Sequence, residues 1–402
     1  MARTEQLNLL FASGQLPDVF LHTAFSTSEI VQWGMLDAFF MPLNDLIDAY
    51  APNIAEMFSQ FPETKAAVTC PDGNIYTLPT VNVKMLDGQN LEETVARCFI
   101  HRTWIEKLGR KDPETLEELN DLLIAFKKDD PNGNGKADEI PFCGAWKSGY
   151  DERVPTMTAL GFVTNGGYLM NMREGAPVLI CKHPLFAEYL KYMNKLWTDG
   201  VLDPDLFTQD DVGARAKSSQ GLAGLMLDGA PFVLDNDSYQ EYEGFIPVTS
   251  QWNSEKVWGG YTTVTPGQFA IAKGCKYPEA AIRHADLHFI DKYACLFWLG
   301  PQKGTPEEMG YPGWYQNDEG IITADFPEGI TNMWDHVNRL NPIHGALMGK
   351  YQVAERYMKN ELGIVTTPSP IEKLWRDSMN ARTTPYCKPR FPAAIYLQPD
   401  AQ

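Results

Sequence analysis

The sequence predicts an α/β protein in which parallel or mixed sheets are flanked by helices and the chain forms two lobes. The 402 residues are enough for two domains with separate cores. Hydrophobic residues make up 44% and charged residues 21%, a composition typical of folded chains. Predicted helices and short apolar strands alternate with short connections, which favours α/β layering with a largely parallel sheet.

The first half of the chain shows this alternation from the start. Helical spacing is present in TEQLNLLFAS, LNDLIDAY and TWIEKLG, and short apolar strands are predicted in VFLHT, DGNIYTLP and CFIHR. The clearest helix is DPETLEELNDLLIAFKKDD, where Thr115 and Glu118 form a capping box before one apolar stripe. The stripe consists of Leu116, Leu119, Leu122, Leu123 and Phe126. An acidic loop and the strand IPFCG follow.

The second half continues with HPLFAEYLKYMNKLWTDG, a helix with Leu185, Tyr189, Met193 and Leu196 or Trp197 on one side, ended by Gly200. Buried strands are predicted in GLAGLMLDG and YTTVTPGQFAIA, and a further helix in YPEAAIRHADLHFIDKY. The sequence shows neither an internal repeat nor a low-complexity linker. We therefore expect a first lobe of residues 1–143 plus about 262–300, and a second of 144–261 plus about 301–402.

The charge balance excludes nucleic acid as a partner. Lys plus Arg number 34 and Asp plus Glu number 52, which gives a formal charge of −18. Such a chain repels phosphate backbones, and no basic cluster offsets the repulsion. The seven cysteines are scattered without a C-x-x-C pair, so they indicate neither a zinc site nor a disulfide framework.

The segment DDPNGNGKADEIPF has the pattern of a calcium-binding loop. Counted from Asp130, oxygen donors fall at positions 1, 3, 5 and 9, with Gly135 at position 6. Position 12, a glutamate in an EF-hand, is Pro141 here, and Glu139 is the obvious substitute. The predicted ligands are Asp130, Asn132, Asn134, the Lys136 carbonyl, Asp138 and Glu139. The alternative is a solvated Asn-Gly turn.

Other catalytic or metal motifs are incomplete. His284 and His288 are four residues apart on a predicted helix, but the glutamate of H-E-x-x-H and a third ligand are missing, so a polar helix face is expected. G-x-S-x-G does not occur, and GNGKA lacks two elements of a phosphate loop. Carboxylate pairs that cleave glycosides depend on separation in space, so sequence alone leaves them open.

Several segments together resemble the extracellular solute-binding proteins of ABC importers, in the oligosaccharide-binding branch that includes calcium-containing alginate-binding proteins. They are LNLLFASGQLPDVF, PLNDLIDAYAPNI, DGNIYTLP, TWIEKLGRKDPETLEELNDLLIAFKKDDPNGNGKADEIPF, LKYMNKLWTDGVLDPDLFTQD and AIAKGCKYPEAAIRHADLHFI. The resemblance implies a type II periplasmic-binding-protein-like fold, with the ligand in a cleft between two lobes hinged by crossing strands. It also implies a structural calcium ion on the six predicted ligands.

The resemblance implies the function and partners as well: a non-enzymatic protein, expected to be a monomer, that delivers an oligosaccharide or sugar to transmembrane permease subunits. Family members usually carry a signal peptide with a lipid-modified cysteine, so an extracellular, membrane-anchored or periplasmic location is implied for the full-length protein. We expect this chain to be truncated at both ends relative to the family.

Side chains that follow predicted strands or lie in Gly-rich turns are the candidates for sugar binding, by aromatic stacking and hydrogen bonds. The candidates are His22, Asn82, Trp146, Tyr150, Asp228, Trp258, Tyr261, Trp298 and Trp314. The negative net charge favours neutral glycans over uronic acids. A calcium-stabilised glycan hydrolase or lyase is the alternative, and a dockerin-like module is disfavoured because one loop leads into a strand.

Overall fold

The structure is a computed structural model, and it describes residues 3–81, 97–148, 152–164, 170–229, 234, 237–260, 264–308, 310, 312–330, 332–333, 336–337, 347, 350–388, 390 and 395. The α-helices are α1 (Arg3–Ser13), α2 (Thr27–Ile30), α3 (Asn44–Tyr50), α4 (Pro52–Gln60), α5 (Pro62–Val68), α6 (Arg102–Lys107), α7 (Leu116–Lys128), α8 (Arg153–Ala159), α9 (Leu185–Thr198), α10 (Asp211–Ser219), α11 (Pro278–Leu287), α12 (Asp291–Leu299), α13 (Lys350–Glu361) and α14 (Pro370–Arg382).

The strands are β1 (Val19–Leu21), β2 (Leu78–Val81), β3 (Arg97–His101), β4 (Ile140–Cys143), β5 (Met170–Arg173), β6 (Ala176–Leu179), β7 (Ala223–Asp228), β8 (Tyr242–Gly244), β9 (Trp258–Gly259), β10 (Val264–Ile271), β11 (Trp314–Gln316), β12 (Ile322–Ala324) and β13 (Cys387–Lys388). A π-helical segment, Val31–Leu36, extends α2. Short 3₁₀ turns are Trp146–Ser148, Ile180–Lys182, Asp237–Glu241, Pro306–Glu308 and Thr384–Tyr386. Of the helices described, none has the length and apolar content that crossing a bilayer requires.

One compact unit comprises residues 1–89, 262–367 and 392–402. Its sheet has the order β1-β10-β2, and both pairings are antiparallel. Helices α3, α4 and α11 pack around an apolar cluster that includes Leu78, Phe269 and Ile271 from the sheet. A separate cluster holds α12 against α13.

The other unit comprises residues 90–261 and 368–391. Its sheet has the order β4-β7-β3-β8, in which β4 and β7 are parallel and the remaining pairs antiparallel. Helix α7 buries its apolar stripe against this sheet, and Phe126 is completely buried. The last helix, α14, packs on β8.

The unit boundaries differ from those expected from the sequence. Residues 90–143 belong to the second unit because β3 and β4 both pair with β7. Residues 301–367 belong to the first unit, where α13 packs on α12. The expectation of a largely parallel sheet was also wrong for the first unit, whose described sheet is antiparallel. The helix predicted in YPEAAIRHADLHFIDKY is broken between Leu287 and Asp291.

The backbone at Phe25 lies very close to β10 at Gly267. Its φ of 80° lies in the left-handed region, and a Cβ there would overlap the Phe25 carbonyl oxygen. The Phe25 N–H donates to the Gly267 carbonyl at 2.9 Å. Only glycine fits this position without strain.

Candidate functional site

The acidic loop, residues 130–139 of the second unit, connects the end of α7 to the start of β4. Asp130 has a positive φ of 45°, and Gly133 and Gly135 have φ values of 75° and 73°. The two glycines allow the chain to wind tightly because they lack a Cβ. Lys107 on α6 donates to the Pro131 carbonyl at 3.0 Å, which attaches the loop to a neighbouring helix.

Backbone hydrogen bonds fix the side-chain oxygens of alternate loop residues. Asp130 Oδ1 accepts from the N–H groups of Gly133 and Asn134 at 3.0 and 3.1 Å, and its Oδ2 accepts from Gly135 at 3.0 Å. Asn132 Oδ1 accepts from the Asn134 N–H at 3.0 Å. Asn134 Oδ1 accepts from the Lys136 N–H at 2.8 Å. Asp130 Oδ2 and the two amide oxygens each accept one of these hydrogen bonds and keep a further lone pair for another partner.

Asp138 closes the loop across its width. Its Oδ1 accepts from the side-chain amides of Asn132 and Asn134, each at 3.0 Å, and its Oδ2 accepts from Asn134 at 3.1 Å. The hydrogen bonds from Asn134 and Asn132 lower the pKa of the Asp138 carboxyl group. The residue is therefore a carboxylate at neutral pH.

Glu139 is the residue in the loop whose charge is least compensated. Its Oε1 is buried and has no hydrogen-bond partner. Burial, together with the negative charges of Asp130 and Asp138, raises the pKa of Glu139. A buried carboxylate oxygen beside two carboxylates is an environment that a cation would relieve, so the oxygen-only donor set fits calcium.

The structure does not arrange the loop as a formed metal site. Among the residues described, no group of three or more His, Cys, Asp or Glu side chains converges as metal ligands would. The side-chain amides of Asn132 and Asn134 instead donate hydrogen bonds to the Asp138 carboxylate. The six calcium ligands thus remain a prediction, supported by the donor chemistry and by the environment of Glu139.

Two of the predicted sugar-binding residues in the second unit are fully buried. Trp258 has no exposed surface and packs in the core with Phe245, ring centroids 6.2 Å apart. Asp228, 2% exposed, accepts two hydrogen bonds from Arg215, at 2.6 and 3.0 Å. Burial of Trp258 favours core packing, and the bidentate ion pair favours a structural role for Asp228.

Trp146 of the second unit is half-buried and begins the 3₁₀ turn that comes shortly after β4. The Arg153 guanidinium lies 3.9 Å from its ring centre, a cation–π contact. The Phe207 ring lies beside it with a centroid separation of 5.1 Å. Trp146 is therefore partly exposed, and its role in sugar binding stays a prediction.

In the first unit, His22 is half-buried and has a φ of 51°. Its N–H donates to the Gln268 carbonyl at 2.6 Å, so the residue is anchored to β10. Trp298 and Trp314 lie in one apolar cluster with 8% and 2% of their surface exposed. Trp314 Nε1 donates to the Gly300 carbonyl at 3.2 Å. Burial of the two tryptophans favours packing over ligand contact. Asn82, Tyr150 and Tyr261 lie outside the described residues.

His288 is not on a polar helix face, contrary to expectation. It is 1% exposed, stacks on Phe297 with centroids 4.1 Å apart, and accepts from the Leu347 N–H at 3.3 Å. Burial lowers the pKa of His288 to about 3, with a further contribution from His284. The imidazole is therefore neutral and structural at physiological pH.

Two exposed aromatic side chains, Trp197 and Phe207, are not among the predicted site residues, and each is 48% exposed. Of the alternatives Leu196 and Trp197 for the apolar side of the helix, Leu196 is the buried one. The ring centroids of Trp197 and Phe207 are 5.8 Å apart. The sequence contains a signal for this exposure. Trp197 lies in the last turn before the helix-ending Gly200, and Phe207 lies just beyond the turn-forming sequence Asp-Pro-Asp.

The chain has the fold of the solute-binding proteins of ABC transporters and is related to them in sequence, as the resemblance predicted. The fructooligosaccharide ABC transporter substrate-binding protein FusA of Streptococcus pneumoniae serotype 4 is 33% identical over 255 residues, 63% of this chain and 46% of FusA. The polygalacturonan/rhamnogalacturonan-binding protein YtcQ of Bacillus subtilis strain 168 is 25% identical over 307 residues, 73% of this chain and 55% of YtcQ. Lipoprotein LipO of the same strain is 26% identical over 159 residues, 39% of this chain and 31% of LipO.

Solved structures support the same fold. S. pneumoniae FusA in complex with kestose matches with a TM-score of 0.74 and 23% identity over 98% of this chain and 78% of FusA. A FusA EF-hand mutant in complex with fructo-nystose has the same TM-score, at 22% identity and the same coverage. Alginate-binding protein AlgQ2 without calcium ion matches with a TM-score of 0.68 and 23% identity over 96% of this chain and 75% of AlgQ2.

The chain spans about half the length of the first two curated relatives, FusA and YtcQ. No family model matches it.

Proposed function

We propose that this protein is the substrate-binding component of an ABC importer and that its ligand is an oligosaccharide or a simpler sugar. The observation that carries the proposal is the likeness to FusA, which extends over 98% of the chain in structure and is accompanied by 33% sequence identity over 255 residues. FusA itself is a fructooligosaccharide-binding protein. The protein would bind and release its ligand without breaking a bond.

Aromatic stacking and hydrogen bonding would hold the ligand. Of the predicted residues, His22 in the first unit and Trp146 in the second remain partly exposed and so have surface to offer. An indole face packs well against the C–H face of a sugar ring, and the Arg153 contact fixes the Trp146 ring in one orientation. The negative net charge favours neutral glycans, whereas YtcQ is a polygalacturonan/rhamnogalacturonan-binding protein, so the test ligands must include both neutral and acidic glycans.

The acidic loop would bind a structural calcium ion through Asp130, Asn132, Asn134, the Lys136 carbonyl, Asp138 and Glu139. Calcium would offset two of the three negative charges of Asp130, Asp138 and Glu139 and hold the end of α7 against the start of β4. The uncompensated Glu139 Oε1 supports this role, and among the relatives a FusA EF-hand mutant and a calcium-free AlgQ2 have been solved.

The partners would be the transmembrane permease subunits of the importer, and we expect the protein to act as a monomer outside the cytoplasmic membrane. The relationship to lipoprotein LipO supports a lipid-anchored location for the full-length protein.

Isothermal titration calorimetry against fructooligosaccharides, neutral glucans, and galacturonan and alginate oligosaccharides tests the proposal. Saturable binding of one class with no release of reducing ends is expected. Release of reducing ends from the bound glycan would instead favour a calcium-stabilised hydrolase or lyase. Absence of binding across the panel would contradict the proposed function.

A further inference from the structure

Three aromatic side chains form a contiguous row on the second unit, which we call the aromatic strip: Trp197, Phe207 and Trp146. Trp197 and Phe207 each expose 48% of their surface, and Trp146 is half-buried. Successive ring centroids are 5.8 and 5.1 Å apart, with interplanar angles of 45° and 57°. A contiguous exposed apolar patch of a few hundred Å² is often a functional surface.

Hydrogen bonds fix the two chain segments that carry Trp146 and Phe207. The Trp146 N–H donates to the Leu206 carbonyl at 3.0 Å, and Lys147 Nζ donates to the Thr208 carbonyl at 3.1 Å. Gln209 Nε2 donates to the Gly144 carbonyl at 2.6 Å. The backbone segments that carry Trp146 and Phe207 are therefore fixed before any ligand binds, which lowers the entropic cost of binding.

A network of polar side chains around the buried Asp203 holds the segment that carries Phe207. Asp203, completely buried, accepts from Gln209 Nε2 at 2.7 Å and from Lys217 Nζ at 2.7 Å. Gln209 thus joins the Phe207 segment to Gly144, just after β4, and through Asp203 to Lys217 on α10. Such a satisfied network keeps the surface rigid.

We propose that the aromatic strip is a stacking surface for a sugar chain, an inference that rests on the proposed function and adds a subsite to it. Tilted neighbouring rings present successive faces, which suits the successive rings of an oligosaccharide. The polar groups beside them, Lys147 Nζ and the Arg153 guanidinium, are donors suited to sugar hydroxyls.

The size of the strip favours a sugar over a protein partner. Trp197 and Phe207, each 48% exposed, and the less exposed Trp146 together offer at most roughly 300 Å². A stable protein interface needs about 800 Å² per partner. A sugar chain of two or three rings matches the smaller area.

The test compares Trp197→Ala and Phe207→Ala with the wild type by calorimetry against the same oligosaccharide panel. Each variant is expected to weaken binding of the glycan that the wild type binds by about tenfold. Trp197→Phe keeps a stacking face and should recover most of the affinity. Leu190→Ala is the matched control because Leu190 lies on the same helix, is 50% exposed and is not aromatic.

The possible results distinguish a failure of the aromatic-strip proposal from a failure of the proposed function. If the wild type binds a glycan and both alanine variants bind it equally well with unchanged circular dichroism, the strip is not a subsite and the proposed function stands. If the wild type binds no glycan of the panel, the aromatic-strip proposal and the proposed function are both contradicted. Concentration-dependent self-association that the alanine variants abolish and glycans leave unchanged would show that the strip is a protein contact and overturn the inference.

Discussion

Lys217 Nζ lies 2.7 Å from Asp203 Oδ1, and the Asp203 side chain is completely buried. The same oxygen accepts from the Asp205 N–H at 2.9 Å, while Oδ2 accepts from Gln209 at 2.7 Å. A carboxylate so deep in the second unit is tolerated because each oxygen has partners. This ion pair connects α10 to the segment that carries Phe207 of the aromatic strip.

Lys217→Met should lower the free energy of unfolding by about 3 kcal/mol, since it leaves the buried Asp203 charge without its cation. Urea unfolding followed by far-ultraviolet circular dichroism measures the loss. Lys191→Met is the control, because Lys191 has a 71% exposed side chain and pairs with Glu188 only at the surface. Equal midpoints for the two variants would show that the ion pair contributes little.

The contribution of Lys217 should depend on pH in the alkaline range. Burial alone would lower the pKa of Lys217, but hydrogen bonds to Asp203 and Asp205 outweigh burial and raise the pKa above 10.5. The stabilisation is therefore fully present below about pH 10.4, the pKa of an unfolded lysine, and is lost as the pH rises through the folded pKa. The difference in stability between wild type and Lys217→Met should be constant from pH 7 to 10 and should shrink above that range.

Calcium should stabilise the protein, and a chelator should reverse the effect. A free calcium concentration of 100 times Kd adds about 2.7 kcal/mol to the free energy of unfolding. Differential scanning calorimetry with and without calcium measures the gain. Asp138→Asn should abolish most of it, whereas Asp129→Asn, which removes an exposed charge outside the predicted ligand set, should retain it. Equal calcium responses in the two variants would contradict the site.

Glu139→Gln should have opposite effects in the presence and absence of calcium. Without calcium, the raised pKa of Glu139 means that its charge costs the folded state stability as the pH rises above about 4.3, the usual glutamate value. The glutamine variant should then be at least as stable as the wild type at pH 7. With calcium, the variant should be less stable because a ligand is lost. Thermal midpoints at pH 7 in chelator and in calcium test this reversal.

Gly267→Ala should destabilise the protein by about 3 kcal/mol or more, because an added Cβ meets the Phe25 backbone and the residue has a positive φ. Gly274→Ala is the control, since no atom lies within 4 Å of its Cβ position. Urea unfolding of the two variants should therefore separate clearly. Similar midpoints would show that the strand accommodates a side chain at this position.

Local features of the fold could be predicted from the sequence because they depend on neighbouring residues. Helix α7 begins after Thr115, which accepts from the Glu118 N–H at 3.2 Å, and the five predicted stripe residues are buried. The capping box was only half right. Glu118 Oε2 accepts from the Glu114 N–H at 2.7 Å, one residue before the N-cap.

Long-range pairing could not be predicted, because strand direction depends on partners far apart in the chain. Val19 of β1 pairs with Ile271 of β10, and no local pattern encodes that partnership. The sequence also did not indicate whether a side chain that follows a strand would be exposed in a crevice or buried and paired. Asp228 follows an apolar strand as a crevice residue would, but Arg215 on α10 neutralises it in the interior. The exposed Phe207 was missed because single aromatic residues in turns carry no periodicity.

Strand β10 (Val264–Ile271) belongs to the first unit, although about two hundred residues of the chain, most of them in the other unit, separate it from β1 and β2. A gene fragment that stops at residue 261 would thus encode β1 and β2 without the strand that lies between them. Expressing either half as a contiguous piece would leave exposed sheet edges and invite aggregation. To express one unit alone, its separate chain segments therefore have to be joined by short linkers in a single gene.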